Sequence, residues 1–182
     1  MPARFLIIAV ILLPALLCAG KAHGGENRKP TEYEVKAAYI YNFAKFVEWP
    51  NDRIQDGRDT IQLCVLGDDP FGRSLATIVG KSAGERKISV KQNVSLQNIH
   101  GCEIVFVSGS EEEHLGRIVK ALNGSPALTI GDTEGFAGRG VMINFYLENR
   151  TVRFEINPKA AMRVGLRISS NLLRIAKIVG EP

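Results

Sequence analysis

The chain has 182 residues, of which 45% are hydrophobic and 23% charged, with a formal net charge of +4. These fractions lie near globular averages and exclude disorder, collagen and coiled coil as the main architecture, while the length suits one domain with an ordinary core. Arg4 and Lys21 are the only charged residues among the first 22, so removing that stretch leaves +2, too small and scattered a charge to point to nucleic acid.

Arg4 precedes the apolar run Phe5 to Leu17, broken only by Pro14, and the small residues Ala19, Gly20 and Ala22 follow. This is the layout of a secretory signal peptide over residues 1–22, cleaved after Gly20 or Ala22. The run falls short of the ~20 residues a membrane-spanning helix needs, so the expected product is exported and soluble. Cys18 offers lipoprotein processing as the alternative, but Ala15 and Leu17 stand where a lipobox wants leucine and a small residue. Residues 23–30 carry Gly24, Gly25 and Pro30 and read as a mobile leader; residues 31–182 read as one domain.

Thr31 and Glu34 have the spacing of a capping box, and Val35, Ala38, Tyr39, Asn42, Phe43 and Phe46 follow at helical intervals. They predict an amphipathic helix closed by Trp49-Pro50, then a polar loop from Asn51 to Asp59. Ile61 to Leu66 reads as a buried strand, Asp69-Pro70 as the start of a helix ending near Gly80, and Lys87 to Val90 as a second strand. Val94 to Ile99 fits no single pattern. Glu103 to Val107 is a third strand, Ser110 and Glu113 form another capping box for a helix reaching Asn123-Gly124, and Ala127 to Ile130 is a fourth strand. This alternation predicts an α/β fold with a mainly parallel sheet covered on both faces. Val141 to Leu147 and Thr151 to Ile156, joined through Glu148-Asn149-Arg150, predict a C-terminal β-hairpin. Asn157-Pro158 opens a flanking helix through a cap and an N1 proline, and Ser169 or Ser170 caps a final helix holding Leu172, Leu173, Ile175, Ala176 and Ile178.

Cleavage of the leader leaves Cys64 and Cys102, both in apolar strand-like surroundings and not in a C-x-x-C arrangement. In an exported chain such a pair is more often a structural disulfide than a redox or metal centre; two buried free thiols are the alternative. The three histidines, His23, His100 and His114, lack metal-ligand spacing, and no G-x-S-x-G elbow or P-loop is present. The expectation is a non-enzyme without metal or cofactor. Asp68-Asp69 and Gly131-Asp132 follow strands and would meet at one sheet edge if those strands were neighbours, the plainer reading being an N-cap and a turn. Gly135, Gly138 and Gly140 read as loop hinges. Arg150, Arg153, Glu155, Lys159 and Arg163 spread mixed charge over the hairpin and the helix after it, which suits either a protein interface or an ordinary solvated face.

Five segments, EYEVKAAYIYNFAKFVEWP, LCVLGDDPFG, GCEIVFVS, LTIGDTEGFAGRGVMINF and VRFEINPKAAMRVGLRISSNLLRIAKIV, together resemble the YfiR/HmsC-like family of periplasmic regulators, from Glu32 to Gly180. The resemblance implies a Rossmann-like domain in the periplasm, usually dimeric, that represses an inner-membrane diguanylate cyclase of the YfiN type by binding its periplasmic sensor region. Cyclic di-GMP and biofilm formation would fall, and an OmpA-like outer-membrane lipoprotein would relieve repression by sequestering the repressor. It implies a disulfide between Cys64 and Cys102, polar partner contacts at Glu155 and Arg163, and apolar neighbours at Ile143 and Ala161. The chain departs from the family's namesake in having no second cysteine pair near Ala137 and Asn144, which removes redox tuning through such a bridge. Since members also occur beside sensor kinases, a small-ligand sensor serving a membrane histidine kinase is the competing implication.

Overall fold

A computed structural model describes residues 28–50 and 59–180. The signal-peptide reading of residues 1–22, the first part of the leader and all but the last residue of the 51–59 loop lie outside the described residues.

Helix α1 (Glu32–Phe46) opens as its capping box requires, with Thr31 accepting from the Glu34 backbone N–H and the Glu34 carboxylate accepting from Thr31 N–H. It buries Ala37, Ile40, Phe43 and Ala44 at helical spacing. The helix stops three residues earlier than Trp49. Val47 turns extended and starts β1 (Val47–Glu48), which pairs antiparallel with β9 (Arg167–Ile168) from the far end of the chain. Long-range pairing thus overrides a periodicity that would have carried the helix on.

The main sheet contains β2 (Thr60–Leu66), β3 (Ser82–Ala83), β4 (Arg86–Val94), β5 (Ile104–Val107), β6 (Leu128–Gly131), β7 (Ile143–Glu148), β8 (Thr151–Ile156) and β10 (Lys177–Ile178), in the order β10-β8-β7-β6-β5-β2-β4-β3. All neighbours are parallel except β7 with β8 and β3 with β4. Among the parallel strands the first, β2, is central; β4 lies on one side, and β5, β6 and β7 follow in turn on the other. That is a doubly wound order whose direction reverses between β2 and β5.

Burial on two faces explains the near-continuous apolar strands. In β2, Ile61, Leu63 and Val65 join the core under α1, while Cys64 and Leu66 join a second core with Leu115 and Ile118 of α2 (Leu115–Ala121) on the opposite face. The α1 side is rich in aromatics: the Phe43 ring meets Phe154 edge-on at 5.0 Å and stacks near Phe145 at 5.7 Å.

The other expected helices are shorter than their patterns suggest. After Asp69-Pro70 there is only a 3-10 segment, Gly72–Thr77, because the Asp69 carboxylate accepts from the N–H groups of Phe71 (2.9 Å) and Gly72 (3.0 Å), and Gly72 takes a φ of +52°, a conformation that cannot continue into an α-helix. The cap expected at Ser110 is instead at Ser108, which accepts from Ser110 N–H; a 3-10 stretch, Gly109–His114, precedes α2. Val94 to Ile99 resolves into the end of β4 and a single 3-10 turn, Leu96–Asn98.

The hairpin forms as expected, with a two-residue turn in which Asn149 (φ +50°) and Arg150 (φ +62°) are both left-handed, as a type I′ turn demands. Asn157 caps α3 (Pro158–Arg163), accepting from Ala160 N–H at 3.0 Å. The final helix, α4 (Ser170–Leu173), is a single turn capped by Ser169. Ile175 and Ile178 are not on its buried face: they are 65% and 44% exposed, and Ile178 belongs to β10, which adds to the free edge of β8.

Candidate partner-binding surface and switch-point cleft

Cys64 and Cys102 are joined, with Cα atoms 6.0 Å apart, so the free-thiol alternative is excluded. Cys64 lies mid-strand in β2, and Cys102 lies in the turn just before β5, the strand beside it. Both are buried against Leu66, Ile99 and Val105 in the α2-side core.

The four residues implied as partner contacts are not equivalent. Arg163 ends α3 and is exposed, lining a shallow groove with Val119, Gly138, Arg139 and Lys159. Glu155 does not line that groove. It opposes Asn144 across the hairpin and Lys177 across β10; its side chain is only 12% exposed, 3.3 Å from Lys177 Nζ, and accepts from Asn144 Nδ2 at 3.4 Å. Ile143 is fully buried and Ala161 is 1% exposed, so both serve the core and neither offers surface in this structure. Arg150, Arg153 and Lys159 are exposed as alternation predicts.

The acids beyond the strand ends do share a cleft, although β2 and β6 are not neighbours. β5 lies between them, and its loop Ser108-Gly109-Ser110 completes a 310 Å³ recess with Tyr33, Asp68, Asp69 and Asp132. The recess sits at the switch point, where doubly wound sheets bind ligands. Gly67 is required here: its φ is +83°, and a Cβ would lie 2.5 Å from Ser110 Oγ. Asp69 is occupied by its turn and by Gln92 Nε2 at 2.6 Å, so the plain reading as a local cap holds for it.

Asp132 is more than a turn residue. It accepts from Lys36 Nζ at 2.7 Å and Tyr33 OH at 3.0 Å, and the Lys36 ammonium, 4.4 Å from the Tyr33 ring centroid, also meets Glu32 at 2.6 Å. Burial pushes the Lys36 pKa down, but hydrogen bonds to Asp132 and Glu32 outweigh it and hold the ammonium above its ordinary value. Burial, then the Asp132 charge, raises the Tyr33 phenol. Sequence patterning passed over both residues, yet a signal existed: Lys36 shares the apolar stripe of α1 with Ile40 and Phe43, a place where an unpaired ammonium would be costly. Among the described residues, no group of three or more His, Cys, Asp or Glu is placed to hold a metal ion. His114 lies 3.5 Å from Glu111 on an exposed turn. No helix among the described residues is long and apolar enough to cross a membrane.

A parallel sheet that reverses at β2 and β5, covered by helices on both faces, defines a doubly wound α/β domain. The same fold is found in a conserved domain protein from Vibrio cholerae O1 biovar El Tor (TM-score 0.57, 10% identity, 82% of this chain and 60% of that one). It is found too in an ABC domain from Streptococcus pneumoniae in complex with L-Trp (TM-score 0.54, 10% identity, 79% and 60%). This chain thus spans 60% of the length of each, and the likeness is one of fold. Residues 33–177 match the model of the YfiR/HmsC-like family, and the chain belongs to that family.

Proposed function

We propose that this chain is a periplasmic regulator that binds the periplasmic sensor region of an inner-membrane diguanylate cyclase and holds it inactive, lowering cyclic di-GMP and biofilm formation. The family match over residues 33–177 carries the reading. The export layout of residues 1–22 and the Cys64–Cys102 bridge support it, since both suit an oxidising compartment. The mature domain, residues 31–182, works by binding and not by catalysis, and it must prefer the inactive state of its partner, because only differential affinity shifts an equilibrium. It acts as a homodimer, and an OmpA-like outer-membrane lipoprotein relieves repression by sequestering it. Arg163, with exposed Lys159 and Arg139 beside it, is the contact surface we favour. Deleting the gene is expected to raise cellular cyclic di-GMP only in strains that retain the cyclase; an unchanged nucleotide level in the deletion strain refutes the proposal.

The switch-point recess supports a second reading, a small-ligand sensor accessory to a membrane histidine kinase. Kinase output that responds to Asp132→Asn, with cyclic di-GMP unchanged by deletion, would select it.

A further inference from the structure

The main sheet ends in an edge that is only partly covered. β8 is six residues long, but β10 pairs with Glu155 and Ile156 alone, so residues 151–154 have no neighbouring strand on their outer side. The two-residue turn makes Glu148 and Thr151 a hydrogen-bonded pair, which turns the N–H and C=O of Val152 and the N–H of Phe154 away from β7 and out of the sheet. Among the described residues, no loop backbone bonds to them. Sheets commonly protect such an edge with a proline, a bulge or a very short strand. The opposite edge does so, since β3 has only two residues. Residues 151–154 contain no proline, and their register with β7 is unbroken.

Strand alternation gives this open edge two chemically distinct faces. Val152 and Phe154 point into the core under α1, whereas Thr151 and Arg153 point to the other side. On the α1 side the edge borders a 450 Å³ groove whose walls include Val35, Tyr39 and Leu147, the last of them 53% exposed. On the other side Arg153 has the Glu148 carboxylate at 3.5 Å, both side chains being more than half exposed, and such a pair contributes little. Arg150, at the tip, makes no ion pair among the described residues. A strand added here therefore has to be apolar on one face and acidic on the other. A second copy of this chain does not meet that need, because its own β8 would set another Arg150 and Arg153 against these two.

We propose that residues 151–154 are a docking edge for an extended segment of another protein, one in which apolar residues alternate with acidic ones. The backbone of that segment continues the β8 ladder, its apolar side chains enter the groove beside Val35, Tyr39 and Leu147, and its carboxylates meet Arg153 and Arg150. The edge shares no residue with the Arg163 groove or the switch-point recess, and the assignment does not depend on the cyclase reading.

The probe is a short end-capped peptide of alternating valine and glutamate, with a second peptide carrying lysine in place of glutamate as its control. Each is titrated into the oxidised, isotope-labelled protein and followed by the backbone amide resonances. The acidic peptide is expected to shift the Val152 and Phe154 amides saturably and to slow their hydrogen exchange, and the basic peptide is not. Leu147→Glu should weaken binding about tenfold, the effect of leaving half a leucine side chain uncovered and adding a like charge. Arg150→Gly, which the turn accommodates, should weaken it about two- to fivefold, as loss of one exposed ion pair does. Lys120→Gln, on α2 across the sheet, should bind as wild type. No saturable shift, an equal shift with the basic peptide, or wild-type affinity in Leu147→Glu or Arg150→Gly would overturn the proposal. So would slow exchange of the Val152 amide before any peptide is added, since the chain itself would then cover the edge. A dimer that Leu147→Glu dissociates would place a second copy there and overturn it equally.

Discussion

Reducing the Cys64–Cys102 bridge should lower stability by an amount that the topology sets. The bridge closes a loop with a sequence separation of 38, which contains the 3-10 segment after β2 and the β3–β4 excursion to the sheet edge. The chain-entropy relation gives about 4 kcal/mol for a loop of that length. For a domain of this size the loss corresponds to a fall in Tm of roughly 8–16 °C. Reduction leaves both sulfurs in the α2-side core, so packing there changes little, and the effect falls on the unfolded chain. The double variant Cys64→Ala/Cys102→Ala removes buried sulfur as well and should melt lower still. Thermal unfolding followed by circular dichroism, with and without a phosphine reductant, measures the difference, and urea titrations should show a larger slope for the reduced protein, whose unfolded chain exposes more surface. A reduced protein melting within about 2 °C of the oxidised one would refute the entropy argument.

Charge reversal separates the two polar residues of the hairpin region: Arg163→Glu should leave stability within about 0.5 kcal/mol, whereas Glu155→Lys, set beside Lys177 with little exposure, should cost about 1–3 kcal/mol in chemical denaturation. Arg150→Gly relieves a left-handed arginine in the hairpin turn and should raise stability by about 1 kcal/mol, read as a higher urea midpoint with an unchanged slope. Lys36→Met leaves the largely buried Asp132 carboxylate with the Tyr33 hydroxyl but without its ammonium and should cost about 3–5 kcal/mol at neutral pH. In the wild type the raised Lys36 pKa means its contribution is complete below the ordinary lysine value and disappears as pH rises through the folded value; alkaline melts of wild type and Lys36→Met should therefore converge. Glu34 behaves in the opposite sense, since Arg28 and Thr31 hold its carboxyl at about 2: its share is complete above the usual glutamate range and is lost progressively as pH falls from there to about 2, a step that Glu34→Gln should lack.

The elements that could be read from the chain are those whose burial is local or two-sided. The parallel strands announce themselves because both faces are covered, and α1 because its cap and its apolar stripe agree. What could not be read is pairing between distant segments. Val47-Glu48 and Lys177-Ile178 are strands only because Ile168-Arg167 and the edge of β8 lie alongside them, and no periodicity within either dipeptide records that. Competing local hydrogen bonds account for the shortened helices: Asp69 spends its carboxylate on a turn, and Ser110 gives its hydroxyl to Asp68 N–H instead of capping its own segment.

The same distinction runs through the site. Resemblance can place Glu155, Arg163, Ile143 and Ala161 in one region of sequence, but strand alternation and the late arrival of β10 decide which of them meets solvent. Ile143 pairs with Ile156 beneath α1, one residue before Asn144 pairs with Glu155, and Lys177 then closes over that glutamate. A partner reaching this edge would first meet Lys177, Arg153 and the exposed Ile175 and Ile178 of the C-terminal segment, with Glu155 accessible only if β10 moves aside. Two backbone registers, Lys177 with Glu155 and Ile178 with Ile156, hold β10 in place, so a two-residue strand is the least costly part of the sheet to displace. Hydrogen exchange at these positions tests the point. Amides of residues 177–179 should exchange far faster than those of β5 and β6, and slow exchange there would mean that Glu155 is structural and that partner recognition falls to Arg163 and the exposed arginines of the hairpin.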